Sequence, residues 1–129
     1  MRLLLDTHVF LWFILDDVQL SATADALISD PSNEVWVSPA SYWEIAIKIS
    51  VGKYYLPEPY AAFMEREIAA NDFRILHIEP KHASAVSTMP FHHRDPFDRL
   101  IVAQAAVEQF AIVSGDAALD AYGITRYWL

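Results

Sequence analysis

The chain begins with a short apolar run, Leu3-Leu4-Leu5, that stops abruptly at an acid, Asp6. Three consecutive leucines without polar alternation read as a strand covered on both faces, and this constrains the fold more than any other feature. Similar short runs recur. Glu34-Val35-Trp36-Val37, Phe73 to Ile78, Ala111-Ile112-Val113-Ser114 and a last segment near Ile124 to Tyr127 all read as strands. Helical stretches separate them: residues 8–15, Ser21 to Ser29, Tyr60 to Ala70 and Pro80 to Thr88. Ser38-Pro39 supplies an N-cap and a first-turn proline for a helix to about Val51, stopped by Gly52. Asp95-Pro96 opens another, about Pro96 to Gln109. Strands alternating with helices predict an α/β fold, a mostly parallel central sheet flanked by helices on both faces. Ligands of such sheets bind beyond the carboxyl ends of the strands.

At 129 residues the chain is expected to form one domain, 1–129, with no linker, repeat or low-complexity segment. It has 3 glycines and neither a Gly-x-Gly-x-x-Gly nor a Walker sequence, so those two modes of nucleotide binding are excluded. Cysteine is absent, which removes disulfides, thiolate metal sites and cysteine nucleophiles together. The N-terminal apolar run is too short for a signal peptide, and no stretch reaches the ~18 apolar residues of a membrane span. A soluble, cytoplasmic protein is expected. The 9 basic and 17 acidic residues give a net charge of −8. Such a chain repels nucleic acid at long range, so activity on nucleic acid would need a local device such as a metal ion.

The acids are placed to provide one. Asp6 follows the first strand, and Asp116 lies just past Ser114 at the end of a later one, so both point toward the functional edge of the sheet. Either alone could be a helix N-cap. Glu44 sits in Tyr42-Trp43-Glu44-Ile45-Ala46-Ile47, on a helix apolar on most sides, where a carboxylate is costly unless paired or bound to a cation. Lys48, four residues on, could pair with it, but a surface pair contributes only a few tenths of a kcal/mol. Asp98 is the third residue of a helix continued by Leu100-Ile101-Val102-Ala103; Asp95 itself reads as that helix's cap. Two carboxylates ~4 Å apart repel by about 4 kcal/mol at an effective dielectric near 20. Several in one pocket would require a divalent cation, and all-oxygen ligation points to Mg²⁺ or Mn²⁺. That chemistry is hydrolysis of a phosphodiester by an activated water.

Four segments carry a resemblance: Leu4-Leu5-Asp6-Thr7-His8; Ser38-Pro39-Ala40-Ser41-Tyr42-Trp43-Glu44-Ile45 with Lys48; Arg94-Asp95-Pro96-Phe97-Asp98-Arg99-Leu100-Ile101-Val102-Ala103-Gln104-Ala105; and Val113-Ser114-Gly115-Asp116. In this order, over nearly the whole chain, they resemble the PIN domain nucleases, and within them the VapC-type ribonucleases of bacterial toxin–antitoxin pairs. The resemblance implies a PIN-like three-layer sandwich and a metal-dependent endoribonuclease. It also implies a homodimer and a cognate antitoxin partner. It assigns metal binding to Asp6, Glu44, Asp98 and Asp116, and support of the first acid to Thr7 and Ser114. Many members carry Asn where this chain has His8, which leaves the role of position 8 open.

Lys48, Arg94 and Arg99 are the local cations expected to contact a phosphate, unless Lys48 and Arg99 merely balance the acids. His92 and His93 sit in a loop and could suggest a general base, but a metal-activated water needs no histidine, and they are expected to be solvated. The block Phe10 to Leu15 reads as core or as an antitoxin surface, and Trp36, Trp43, Tyr54 and Tyr55 as core or base-stacking. Two other readings remain: a catalytically silent PIN-like module that binds RNA or protein, and, more remotely, a phosphotransfer domain using Asp6 as phosphoacceptor.

Overall fold

The sheet is built outward from the leucine run. In the computed structural model, which describes all 129 residues, β1 (Arg2–Leu5) lies at the centre, its three leucines fully buried. It pairs in parallel with β2 (Glu34–Val37) on one side and β4 (Ala111–Val113) on the other. The edges are β3 (Arg74–Ile75) beside β2 and β5 (Arg126–Tyr127) beside β4. All four pairings are parallel, in the order β3-β2-β1-β4-β5. The chain therefore winds from β1 out to β3 and returns to β4, which makes the gap beyond the carboxyl ends of β1 and β4 the switch point.

Helices cover both faces. Between β1 and β2 run α1 (Thr7–Ile14) and α2 (Ala22–Ser29); between β2 and β3, α3 (Pro39–Ser50) and α4 (Tyr60–Ala70). Between β3 and β4 run α5 (Pro80–Ser87) and α6 (Pro96–Glu108), and a 3-10 helix, Ala117–Tyr122, leads to β5. Alternation along β1 divides the core. Leu3 and Leu5 pack with Val9, Phe10, Ile28, Phe63 and Phe73 on one side, while Leu4 packs with Ile101, Val102, Ile112 and Leu119 on the other. This is the three-layer sandwich the strand pattern predicts.

The expected boundaries hold for most helices. Ser38 accepts from the Ala40 amide at 3.1 Å with Pro39 at the first helical position, and Gln109 ends α6 with a left-handed φ of 60°. The two edge strands are shorter than their apolar runs. Only Arg74 and Ile75 are in register with β2; Leu76 still donates its amide to the Val37 carbonyl at 2.9 Å, and the side chains of Phe73 and Leu76 are buried in the core. Most of the Phe10 to Leu15 block is core: Phe10, Leu11 and Ile14 are buried and Trp12, Phe13 and Leu15 are half-buried.

One fully buried histidine fastens α5 to α6. His82 Nδ1 accepts the Glu79 amide at 3.0 Å, and its Nε2 lies 3.1 Å from Glu108 Oε2. Both nitrogens are thereby satisfied. Replacing it by alanine strips a helix cap, an interhelical bond and a ring's worth of packing. His82→Ala is expected to lower the unfolding free energy by about 2–3 kcal/mol in urea denaturation, with the denaturant slope unchanged.

Candidate active site

Asp6 leaves β1 in an extended conformation and caps α1: its Oδ1 accepts from the Thr7 amide at 2.7 Å. Its Oδ2 accepts from the Ser114 hydroxyl across the switch point at 2.6 Å. Only 1% of Asp6 is exposed, so these donors take the place of water. Ser114 in turn accepts from the Asp116 amide at 3.0 Å, tying the ends of β1 and β4 together. The hydroxyl of Thr7 donates to Ser41 Oγ at 3.1 Å, which docks α1 against α3 one turn before Glu44.

Glu44 is buried, 5% exposed, as the apolar character of its helix predicts. Its Oε2 lies 3.3 Å from Lys48 Nζ, the pairing expected one turn on. Its Oε1 is buried without any hydrogen-bond partner. Burial works against the charge of Lys48, but Glu44 and Tyr54 outweigh that and raise its pKa. Asp6, Thr7, His8, Glu44, Lys48, Tyr54, Asp95 and Asp98 line one small cleft of about 130 Å³ at the carboxyl edge of the sheet. Asp95 also caps α6, accepting from the Phe97 amide at 2.9 Å.

Asp98 and Asp116 meet through a histidine. His93 Nε2 lies 2.7 Å from Asp98 Oδ2 and 3.4 Å from Asp116 Oδ2, so the loop histidine expected to be solvated sits among the acids instead. Burial pushes the Asp98 carboxyl up to about 7; the charge of Asp6 adds to the effect and the His93 bond opposes it. Burial lowers the pKa of His93, yet the bond to Asp98 and the charges of Asp98, Asp116 and Asp95 raise it overall. Asp116 caps the 3-10 helix, accepting from the Ala118 amide at 3.0 Å, and borders the cluster on the His93 side without lining the cleft.

Two of the three expected phosphate contacts remain available. Lys48 lines the cleft, and Arg94 is exposed in the loop before α6. Arg99 is not available. It is buried, and its guanidinium donates to the carbonyls of Pro90 (2.9 Å), Met89 (3.3 Å) and Val86 (3.4 Å) with Phe91 over its face. It points from α6 away from Asp98 and holds the loop that carries His93, so it neither balances the acids nor reaches a phosphate. Sequence reasoning also missed Ser41 and His93. Ser41 had a usable signal, a small hydroxyl one turn before the buried acid; no spacing rule singles out His93. Of the aromatic residues, Tyr54 lines the cleft, Trp36 packs on Phe110, Tyr55 is exposed, and Trp43, 63% exposed, stands edge-on to Phe97.

The acid cluster gives stability a definite pH dependence. A carboxyl whose folded pKa is raised costs stability as pH climbs from its unfolded value near 4 toward 7. A histidine raised above 6.5 contributes stability that is lost as pH rises through its folded value, so both effects have the same sign. With chelator present, the melting temperature of the chain is expected to fall between pH 5 and pH 8. Asp98→Asn should flatten that fall by about 5 °C in calorimetry.

The family model of the PIN domain matches residues 3–124. Ribonuclease VapC22 of Mycobacterium tuberculosis is 28% identical over 120 residues, 92% of this chain and 90% of the relative. In three dimensions the chain resembles the VapBC2 structure from Rickettsia felis bound to a promoter DNA fragment, with a TM-score of 0.73, 14% identity and full coverage of both chains. It also resembles FitAcB from Neisseria gonorrhoeae, with a TM-score of 0.66 and 17% identity over 97% of this chain and 96% of that one. These structural likenesses concern the fold, whereas the family match covers every residue that builds the cleft. The chain belongs to the PIN domain family.

Proposed function

We propose that the chain is a metal-dependent endoribonuclease that hydrolyses RNA phosphodiester bonds, the toxin of a toxin–antitoxin pair. The observation that carries this reading is the Glu44 Oε1 atom, buried and unpartnered in a cleft that also holds Asp6 and Asp98. An orphaned carboxylate oxygen among like charges fits a hard divalent cation, and the four acids offer only oxygen donors, which favours Mg²⁺ or Mn²⁺. Asp6, Glu44, Asp98 and Asp116 are the residues that would hold it. Bound there, such an ion supplies an activated water and neutralises charge building on the phosphate.

The chain's own groups do the rest. Thr7 and Ser114 fix both oxygens of Asp6, so that acid needs no reorganisation when substrate arrives. His93 holds Asp98 and Asp116 together. Lys48 and Arg94 offer cations to the RNA backbone, answering the overall charge of −8. The similarity to a ribonuclease supports RNA as substrate, and the VapBC complexes among the structural neighbours support an antitoxin partner. An exposed apolar stripe of Trp43 and Ile47 on α3, continued by Val51 at its C-cap, supports a homodimer. No helix is long and apolar enough to cross a membrane, and a cytoplasmic setting suits an enzyme acting on RNA.

The test is cleavage of a mixed cellular RNA pool by antitoxin-free protein, with Mg²⁺ or Mn²⁺ and with chelator. Cleavage is expected only with metal, and Asp6→Asn should reduce it at least about 100-fold. A folded protein that neither cleaves RNA nor binds Mn²⁺ would instead be the silent binding module.

A further inference from the structure

His8 stands between the two loops that bear the strand-end acids. Its Nδ1 lies 3.4 Å from Asp6 Oδ2, and its Nε2 accepts the Gly115 amide at 3.4 Å. A ring whose Nε2 accepts carries its N–H on Nδ1, the nitrogen that stands 3.4 Å from Asp6 Oδ2. Asp6 Oδ2 thus accepts from Ser114 and has the His8 ring nitrogen as a second polar neighbour. The ring is also clamped from the side. Trp12, one turn along α1, meets it edge-on at 4.8 Å, and Trp128 does so at 6.5 Å, the two indoles being 6.0 Å apart. Trp128 closes over Gly115 as well: a Cβ there would come within 3.1 Å of the indole, so a side chain at this position would press the indole back by a few tenths of an ångström. The open side of the ring faces the cleft shared with Glu44 and Lys48.

We propose that His8 is a positioning residue that orients the Asp6 carboxylate from Nδ1 and, by accepting from Gly115 at Nε2, sets the spacing between the Asp6 corner and the loop leading to Asp116. Trp12 and Trp128 hold the ring in the tautomer and orientation this requires. The assignment rests on the functional reading above, because its consequence is for the acids that would bind the metal. Outer partners that orient a ligating carboxylate typically influence metal affinity by about 10–100-fold.

The two contacts can be separated by substitution. His8→Asn keeps a donor at the δ position beside Asp6 and loses Gly115; His8→Gln keeps the reach to Gly115 and loses the δ donor; His8→Ala loses both. Mn²⁺ affinity by calorimetric titration, kcat and KM on RNA, and melting temperature are measured for each full-length variant. His8→Ala and His8→Gln are expected to weaken Mn²⁺ binding about 10-fold and to lower kcat with KM for RNA nearly constant, while His8→Asn recovers most of the loss. In ¹⁵N-histidine spectra of the unsubstituted chain, His8 should be the Nδ1–H tautomer. Wild-type affinity and kcat in His8→Ala would overturn the assignment, as would an Nε2–H tautomer. So would a His8→Asn protein that melts like wild type yet binds Mn²⁺ no better than His8→Gln. A wild-type chain that binds no Mn²⁺ and cleaves no RNA overturns the functional reading and this assignment with it. Wild-type activity beside an indifferent His8→Ala removes His8 alone.

Discussion

A carboxylate buried at the end of a central strand must find donors for both oxygens, and Asp6 finds them in the Thr7 amide and the Ser114 hydroxyl. The second of these bonds spans 108 residues of sequence and closes the switch point between β1 and β4. Much of the site follows from it. Ser114 in turn accepts from the Asp116 amide, so one hydroxyl sets the relation between two acids on different loops. Thr7 extends the same chain of contacts to Ser41, and so to the helix that carries Glu44. The parallel pairing of β1 with β4 is what brings Ser114 within reach, so register in the sheet and geometry in the site are one constraint.

Like charges gathered in this way oppose folding, and the chain answers locally. His93 bridges Asp98 and Asp116, Lys48 pairs with Glu44, and burial together with Asp6 pushes Asp98 to about 7. These measures leave Glu44 Oε1 uncompensated. A site fully neutralised by its own side chains would be more stable and would have no remaining affinity for a cation. Leaving one buried oxygen unmatched is a cost that the rest of the fold, with its two leucine-centred cores, must offset.

Arg99 shows how a residue in the middle of a functional motif can serve architecture. One residue from Asp98, it turns inward and donates to the carbonyls of Met89 and Pro90 in the preceding loop and of Val86 at the end of α5. That loop presents His93, so Arg99 acts on the acid cluster only through backbone placement. A buried guanidinium needs several acceptors, and carbonyls at and just beyond the end of α5 supply them. Within one motif, Asp98 faces the cluster and Arg99 faces the loop because successive helical positions are separated by about 100°.

The sequence by itself determined the layers and the edge at which the acids collect. Unbroken apolar runs such as Leu3-Leu4-Leu5 can only be strands covered on both faces, and an acid after such a run falls at the carboxyl edge. Ser38-Pro39 and Asp95-Pro96 fixed where two helices begin, because capping is local chemistry. A glutamate among apolar helix residues foretold its own burial. What the sequence left open concerns contacts between segments distant along the chain. Whether a loop histidine meets solvent or two carboxylates, whether an arginine faces a cleft or a loop, and how many residues an edge strand pairs all depend on packing across the fold. Tertiary structure alone decided His93, Arg99, the two-residue length of β3 and the placement of His8 between Asp6 and Gly115, since each is set by partners that local spacing does not encode.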